Sequence, residues 1–388
     1  MMRKIFSLLL FLFFTSGYSY DFSRIDSIIN SGIIRNFYPG AQLLIGNTIS
    51  VIYAKEYGRY TYDENSEPVS AGSIYDLASV TKVIAATSAV MKLYDEGKLR
   101  LDDKVIKFIP EFNNNGKDAI SIGNLLCHNS GLKAWIPFYK YVKTKDEALQ
   151  MIFDINPEYA TGTKFVYSDL NAILLGLIVE RVSGKSLDEY CRDVIFRPLG
   201  MKSTTFRPSG TFFDLAVPTE NDIHWRNKQL KGEVHDEAAY LLGGVSGNAG
   251  LFSNSVDLYK FMRMMLNRGR YWNPYTRGIK EETLFDAGTV DKFTTRVQGL
   301  KYENSRALGW DTKPEPANGN RTPCGEFFSD KCFGHTGYTG TSVWCDKKNK
   351  IIVILLTNRV YPARGNEGIK EIRPEVHNEA IRILSDNK

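Results

Sequence analysis

The placement of its β-hairpins constrains this chain most: both stand near its ends, and the long middle reads as helix. Near the start, Gln42 to Ile45 and Val51 to Lys55 alternate as strands around Gly46-Asn47, the residue types of a tight turn. Near the end, Ser342 to Cys345 and Ile351 to Thr357 flank Asp346-Lys347-Lys348-Asn349. Between them, helical spacing runs from Val80 to Glu96, Asp169 to Ser183, Leu187 to Phe196 and Val256 to Asn267, with stops at Gly97, Gly184, Pro198-Leu199-Gly200 and Gly269. Helices are also expected around Phe22 to Ser31 and from Pro374 to Leu384. An α+β architecture satisfies this order: an antiparallel sheet built from both chain ends, helices on its faces and a mainly helical region inserted.

With 388 residues, 43% of them hydrophobic, the chain is long enough for one large or two intimate domains, and no linker, repeat or low-complexity stretch divides it. The net charge of +5 is scattered, without a lysine–arginine stripe interleaved with aromatics, so nothing points to nucleic acid as a partner. Arg3 and Lys4 precede an apolar run from Ile5 to Phe14 and then Thr15-Ser16-Gly17-Tyr18-Ser19, the layout of a secretory leader cut near Ser19 or Tyr20. That run is short for a bilayer span, so the expected location is the periplasm or cell envelope, with membrane association only through an uncleaved leader. Five cysteines cannot all pair, and Cys324 with Cys332 is the expected disulfide. The spacing of these two with His335 matches no common zinc site, and neither metal nor cofactor is expected.

The chemistry-bearing pattern is Ser79-Val80-Thr81-Lys82 at the head of the first long helix. Residues three apart share a helix face, so Lys82 can reach the Ser79 hydroxyl, and a helix N-terminus favours developing negative charge. Two further S-x-x-K strings exist, but Ser130 sits in a polar turn and Ser385 in the last four residues. Two other segments join the pattern. Tyr167-Ser168-Asp169 follows a short extended run and opens an apolar helix, and Gly334-His335-Thr336-Gly337-Tyr338 leads into a strand. His235-Asp236-Glu237 could suggest a Ser-His-Asp triad, but no G-x-S-x-G elbow occurs and Lys82 already holds the activating position. His128, His224 and His377 read as structural or exposed.

The order Ser79-x-x-Lys82, Tyr167-Ser168-Asp169, His335-Thr336-Gly337 resembles the serine hydrolases that include class C β-lactamases, low-molecular-weight penicillin-binding proteins and lactamase-like esterases. The likeness extends from about Ile25 to about Ile383. In Gly232-Glu233-Val234-His235-Asp236-Glu237, Gly243 to Phe252 and Leu356-Thr357-Asn358-Arg359-Val360 it is similar to penicillin-binding protein 4B-type D-alanyl-D-alanine carboxypeptidases. The resemblance implies one catalytic unit: a sheet region from 21–84 plus 285–388 and a helical region from 85–284, after a leader at 1–20, with the site in the cleft between them.

It further implies that Ser79 is acylated, Lys82 orients it, Tyr167 shuttles the proton, and the N–H groups of Ser79 and Tyr338 form an oxyanion hole. His335, Thr336, Gly337, Tyr338 and Asp169 would contact substrate. The substrate would be a peptidoglycan stem peptide or a small ester or lactam, and a penicillin-binding module with little turnover is the non-enzymatic alternative. His335 stands where the lactamases carry lysine, so binding of carboxylate substrates is expected to weaken as pH rises through roughly 6 to 7. Asp169 stands where the motif carries asparagine, and is expected either to cap the following helix or to contact substrate.

Overall fold

Six strands from the two ends of the chain form a single antiparallel sheet in the computed structural model, which describes residues 20–276, 279–302, 304–314 and 322–385. In chain order they are β1 (Gly40–Gly46), β2 (Val51–Gly58), β3 (Asp311–Thr312), β4 (Cys332–Thr336), β5 (Ser342–Asp346) and β6 (Ile351–Thr357). Across the sheet the order is β3-β4-β5-β6-β1-β2, so the pairing of β1 with β6 joins the two chain ends, with Leu43 opposite Leu355 and Ile45 opposite Val353. The expected leader lies outside the described residues.

Both faces of the sheet are covered, which is why β1 and β6 are buried along their whole length. Side chains alternate between two cores with the period of a strand. Leu43, Ile45, Trp344, Val353 and Leu355 face the core shared with α1 (Ser23–Ile34) and α5 (Ile369–Ser385). Leu44, Val343, Ile352, Ile354 and Leu356 enter the larger core, which contains α2 (Ser88–Asp95), α3 (Asp169–Ser183) and α4 (Ser255–Leu266). Each such fully buried leucine or isoleucine contributes about 2 kcal/mol of hydrophobic stabilisation. Gln42 is the polar exception in β1 and is fully satisfied. Its amide donates to the Ser70 and Ser73 carbonyls and its Oε1 accepts from the Ser255 N–H, tying the sheet to the segment before the Ser79 turn and to the start of α4.

Most elements fall where the spacing predicts, and α3 ends at Gly184 in the left-handed conformation. The expected helix from Val80 to Glu96 is not uniform. It begins as a single tight turn, Ala78–Val80, and widens over Lys82–Thr87 to a π-type turn before becoming α2. The Ser88 hydroxyl donates to the Val83 carbonyl five residues back, occupying a group that a regular α-turn would have used. The last helix starts at Ile369 and takes Pro374 into its interior. The Cys324–Cys332 disulfide is not formed: the two are buried neighbouring thiols with sulfurs 4.0 Å apart. No helix among the described residues is long and apolar enough to cross a membrane.

Candidate active site

Ser79 lies on a strained turn that two other segments brace. Ala78 has a φ of 46°, the left-handed region that costs an alanine about 1 kcal/mol or more. Asp76 holds it there, accepting from the Ala78 N–H on one carboxylate oxygen (2.8 Å) and from the His235 N–H on the other (2.7 Å). The Thr339 hydroxyl donates to the Asp76 carbonyl and the Thr341 hydroxyl to the Leu77 carbonyl, which pins the β4–β5 turn against the Ser79 turn. Gly337 makes that approach possible, because a Cβ there would collide with Thr341 Oγ1 and the Leu77 carbonyl.

Lys82 is 3% exposed; its ammonium donates to Ser79 Oγ at 3.0 Å and to the Asn248 carbonyl at 2.9 Å, and is ion-paired with Asp169 Oδ1 at 2.6 Å. Burial is the largest influence and opposes its charge, but Asp169 and Tyr167 together hold the lysine above its ordinary pKa. Asp169 is the first residue of α3, after an N-cap position held by Ser168, and its side chain pairs with Lys82. Behind this pair, Asp236 accepts from Asn248 Nδ2 and the Ala239 N–H, and burial together with the Asp169 charge pushes its carboxyl up to about 6.

Tyr167 stacks on His128, ring centroids 4.7 Å apart, and the Lys82 ammonium lies 5.1 Å from the centre of its ring. Its hydroxyl is buried without a well-aligned hydrogen bond, and burial foremost raises its pKa, so it rests as the neutral phenol. His128 accepts the Ser168 N–H on Nδ1, and burial with the nearby Arg306 and Lys82 charges keeps it neutral.

His335 is 2% exposed and lies 6.0 Å from Tyr167, ring to ring. Its Nδ1 meets the Thr336 carbonyl at 2.8 Å, which fixes the proton on that nitrogen and leaves Nε2 a bare acceptor without a partner. Burial foremost, and the Arg306 and Lys82 charges, push its pKa down to about 4. This corrects the expected histidine titration between pH 6 and 7: the imidazole is already neutral there. The fixed positive charge beside the cleft is Arg306, ion-paired to Asp311 and lying 5.5 Å from the Tyr167 ring centre. Tyr338 is 47% exposed and sandwiched between the His235 imidazole and the Arg359 guanidinium.

The structure thus groups Ser79, Lys82, Tyr167 and Asp169, with His335, Thr336, Gly337 and Tyr338 on the strand and turn beside them. His235 is turned away from Ser79 and bonds Glu220 at 2.8 Å, which Arg364 also grips. Ser130 donates to Asn171 and Lys133 is exposed, so that S-x-x-K string does not face itself. His128, Asn248 and Arg306 were missed as partners of the cleft. Only the His128 to Ser130 turn and the Gly243 to Phe252 run gave any signal, and Arg306 had none.

A two-ended antiparallel sheet, an inserted helical region and this grouping at their meeting point are the features of the β-lactamase/transpeptidase-like class. The chain belongs to the beta-lactamase family, whose model matches residues 25–376. The "Putative D-alanyl-D-alanine carboxypeptidase" of Escherichia coli K12 is 38% identical over 356 residues, 83% of this chain and 79% of that protein. The fold is shared with a penicillin-binding protein homologue from Caulobacter crescentus (TM-score 0.71, 18% identity, 92% of this chain and 97% of the other). It is also shared with a class C beta-lactamase (TM-score 0.72, 20% identity, 95% of this chain and 96% of the other).

Proposed function

We propose that this protein is an exported acyl-serine hydrolase with D-alanyl-D-alanine carboxypeptidase-like action on peptidoglycan stem peptides. The contact that carries this reading is Lys82 Nζ to Ser79 Oγ, 3.0 Å inside a braced turn. Ser79 attacks the carbonyl of the penultimate D-alanine, an acyl-enzyme forms as the terminal D-alanine leaves, and water releases the acyl group. Tyr167, a neutral phenol near Ser79 and Lys82, donates a proton to the departing amine. The N–H groups of Ser79 and Tyr338 face the developing oxyanion. Arg306 supplies positive charge near the strand on which the substrate carboxylate would lie. The relatives named as carboxypeptidases support the substrate class, and the basic and apolar N-terminal run supports export.

A second reading, a carboxylesterase or weak β-lactamase, is favoured by two departures. Asp169 stands in place of a neutral amide, and His335 is an uncharged acceptor where a cation would hold a carboxylate. Intact mass after incubation with benzylpenicillin separates the readings. A lasting adduct on the wild type and none on Ser79→Ala, with release of D-alanine from a peptide ending in D-Ala-D-Ala, is the expected result. An adduct without D-alanine release would indicate a penicillin-recognising module. No adduct but rapid hydrolysis of simple esters would indicate an esterase.

A further inference from the structure

The Lys82 ammonium donates to Ser79 Oγ and to the Asn248 carbonyl, and it is ion-paired with Asp169 Oδ1 at 2.6 Å. No lone pair remains to take a proton from Ser79. Of these three partners, a hydroxyl and a peptide carbonyl are not bases near neutral pH, and only Asp169 can receive a proton. Tyr167 does not fill the gap, because a buried neutral phenol is a donor in its resting state. The pair is 4% and 19% exposed at the side chains, an environment in which exchanging an ion pair for its neutral form costs far less than in water.

Building on the acyl-serine reading above, we propose that Asp169 is the terminal proton acceptor of a Ser79–Lys82–Asp169 relay, a role that the amide of an asparagine could not play. In acylation a Lys82 N–H proton first moves to Asp169 Oδ1, which frees a lone pair on Nζ. The Ser79 O–H bond then breaks as its oxygen bonds the acyl carbon, and Nζ takes that proton, leaving the lysine an ammonium and Asp169 a neutral acid. When the acyl–leaving-group bond breaks, the leaving atom takes the Tyr167 hydroxyl proton. Lys82 replaces that proton and recovers its own from Asp169, so every group returns to its starting state. Asp169 touches Lys82 and not the reacting oxygen, so it is a positioning and proton-holding residue.

The charged and titratable groups facing this relay are Tyr167, Asp236, His335 and Arg306. Arg306 is permanently charged and His335 is neutral at working pH. Asp236 changes charge near pH 6, so comparisons belong at pH 7 and above.

The test is the rate at which a fluorophosphonate, whose fluoride leaving group needs no proton, labels Ser79 in intact protein between pH 7 and 10. Asp169→Asn is expected to slow labelling at pH 7 by about a hundredfold or more, the usual span of a lost proton acceptor. Its rate should then climb with pH as Lys82, freed of the carboxylate, loses its proton to solvent, a rise absent from the wild type. Asp169→Glu is expected to label within about tenfold of the wild type, which keeps the test open should the asparagine variant fail to fold. Labelling of a folded Asp169→Asn within about threefold of the wild type at every pH would overturn the relay. So would an Asp169→Glu variant, cooperatively folded, that labels no faster than Asp169→Asn. A wild type that the probe leaves unlabelled would overturn the relay together with the hydrolase reading. Labelling without D-alanine release would count against the substrate alone.

Discussion

In the proposed mechanism Tyr167 matters to chemistry, while its surroundings give it little weight in stability. Its ring packs on His128 and against the Lys82 charge, while its hydroxyl has no well-aligned partner to lose. Tyr167→Phe is therefore expected to leave the unfolding midpoint within about 0.5 kcal/mol of the wild type, since removing a buried hydroxyl costs most when a partner is orphaned. Turnover of an amide substrate, whose amine must be protonated to depart, should fall by about a hundredfold or more. Labelling by the fluorophosphonate should fall less than tenfold. Paired unfolding and rate measurements check this, and equal losses on both kinds of substrate would remove Tyr167 from leaving-group protonation. The neighbouring carboxylate was legible only as an anomaly. Asp169 is plain in the sequence as a departure from asparagine, but its partner lies 87 positions earlier, and only the packing of α3 on the Ser79 segment brings Lys82 to it.

At the scale of elements, the Ser79 turn and the β4–β5 turn behave as one unit, joined by the hydroxyls of Thr339 and Thr341 and by the close passage of Gly337 over Leu77. Gly337→Ala should force the two turns apart. Overpacking of this kind costs about 1 to 3 kcal/mol, and because the displaced element carries the Tyr338 N–H, Ser79 acylation should fall by more than tenfold while the sheet persists. Circular dichroism and acylation rate together test this, and an alanine variant with unchanged acylation would show that the two turns are not coupled. Elements such as α3 and β6 were legible because periodicity, a terminal Gly184 or an unbroken apolar run is local information. The widened turn at Lys82–Thr87 was not, because nothing in its otherwise regular apolar pattern marks it, and the Ser88 to Val83 side-chain bond that accompanies it shows only in the structure. The Arg306 site was equally hidden, since Phe165 and Tyr167, whose rings it faces, lie about 140 positions earlier in the chain.

For the whole molecule, three histidines are held neutral inside the folded chain: His335 near 4, His377 near 3 and His128 well below its ordinary value, in each case chiefly by burial. Each has a folded pKa below its unfolded value of about 6.5, so its contribution to stability is complete above that pH and is lost as pH falls towards the folded value. Asp236 works the other way, since its raised carboxyl takes up a proton in the folded state as pH falls through about 6. Counting these four groups, near pH 5 the unfolded chain binds a net two more protons than the folded one, which contributes a decline in stability of about 3 kcal/mol per pH unit. Urea unfolding at pH 7, 6 and 5 measures this slope. His377 lies on α5 beside the Phe328 ring and bonds the Pro323 carbonyl through Nδ1, and it makes none of the contacts described for Ser79, Lys82 or Tyr167. His377→Gln should therefore remove one of the two net protons and halve the slope without altering Ser79 labelling at pH 7. A midpoint that stays level from pH 7 to pH 5 in the wild type would mean that these imidazoles gain their protons without unfolding, and that the core around them admits charge.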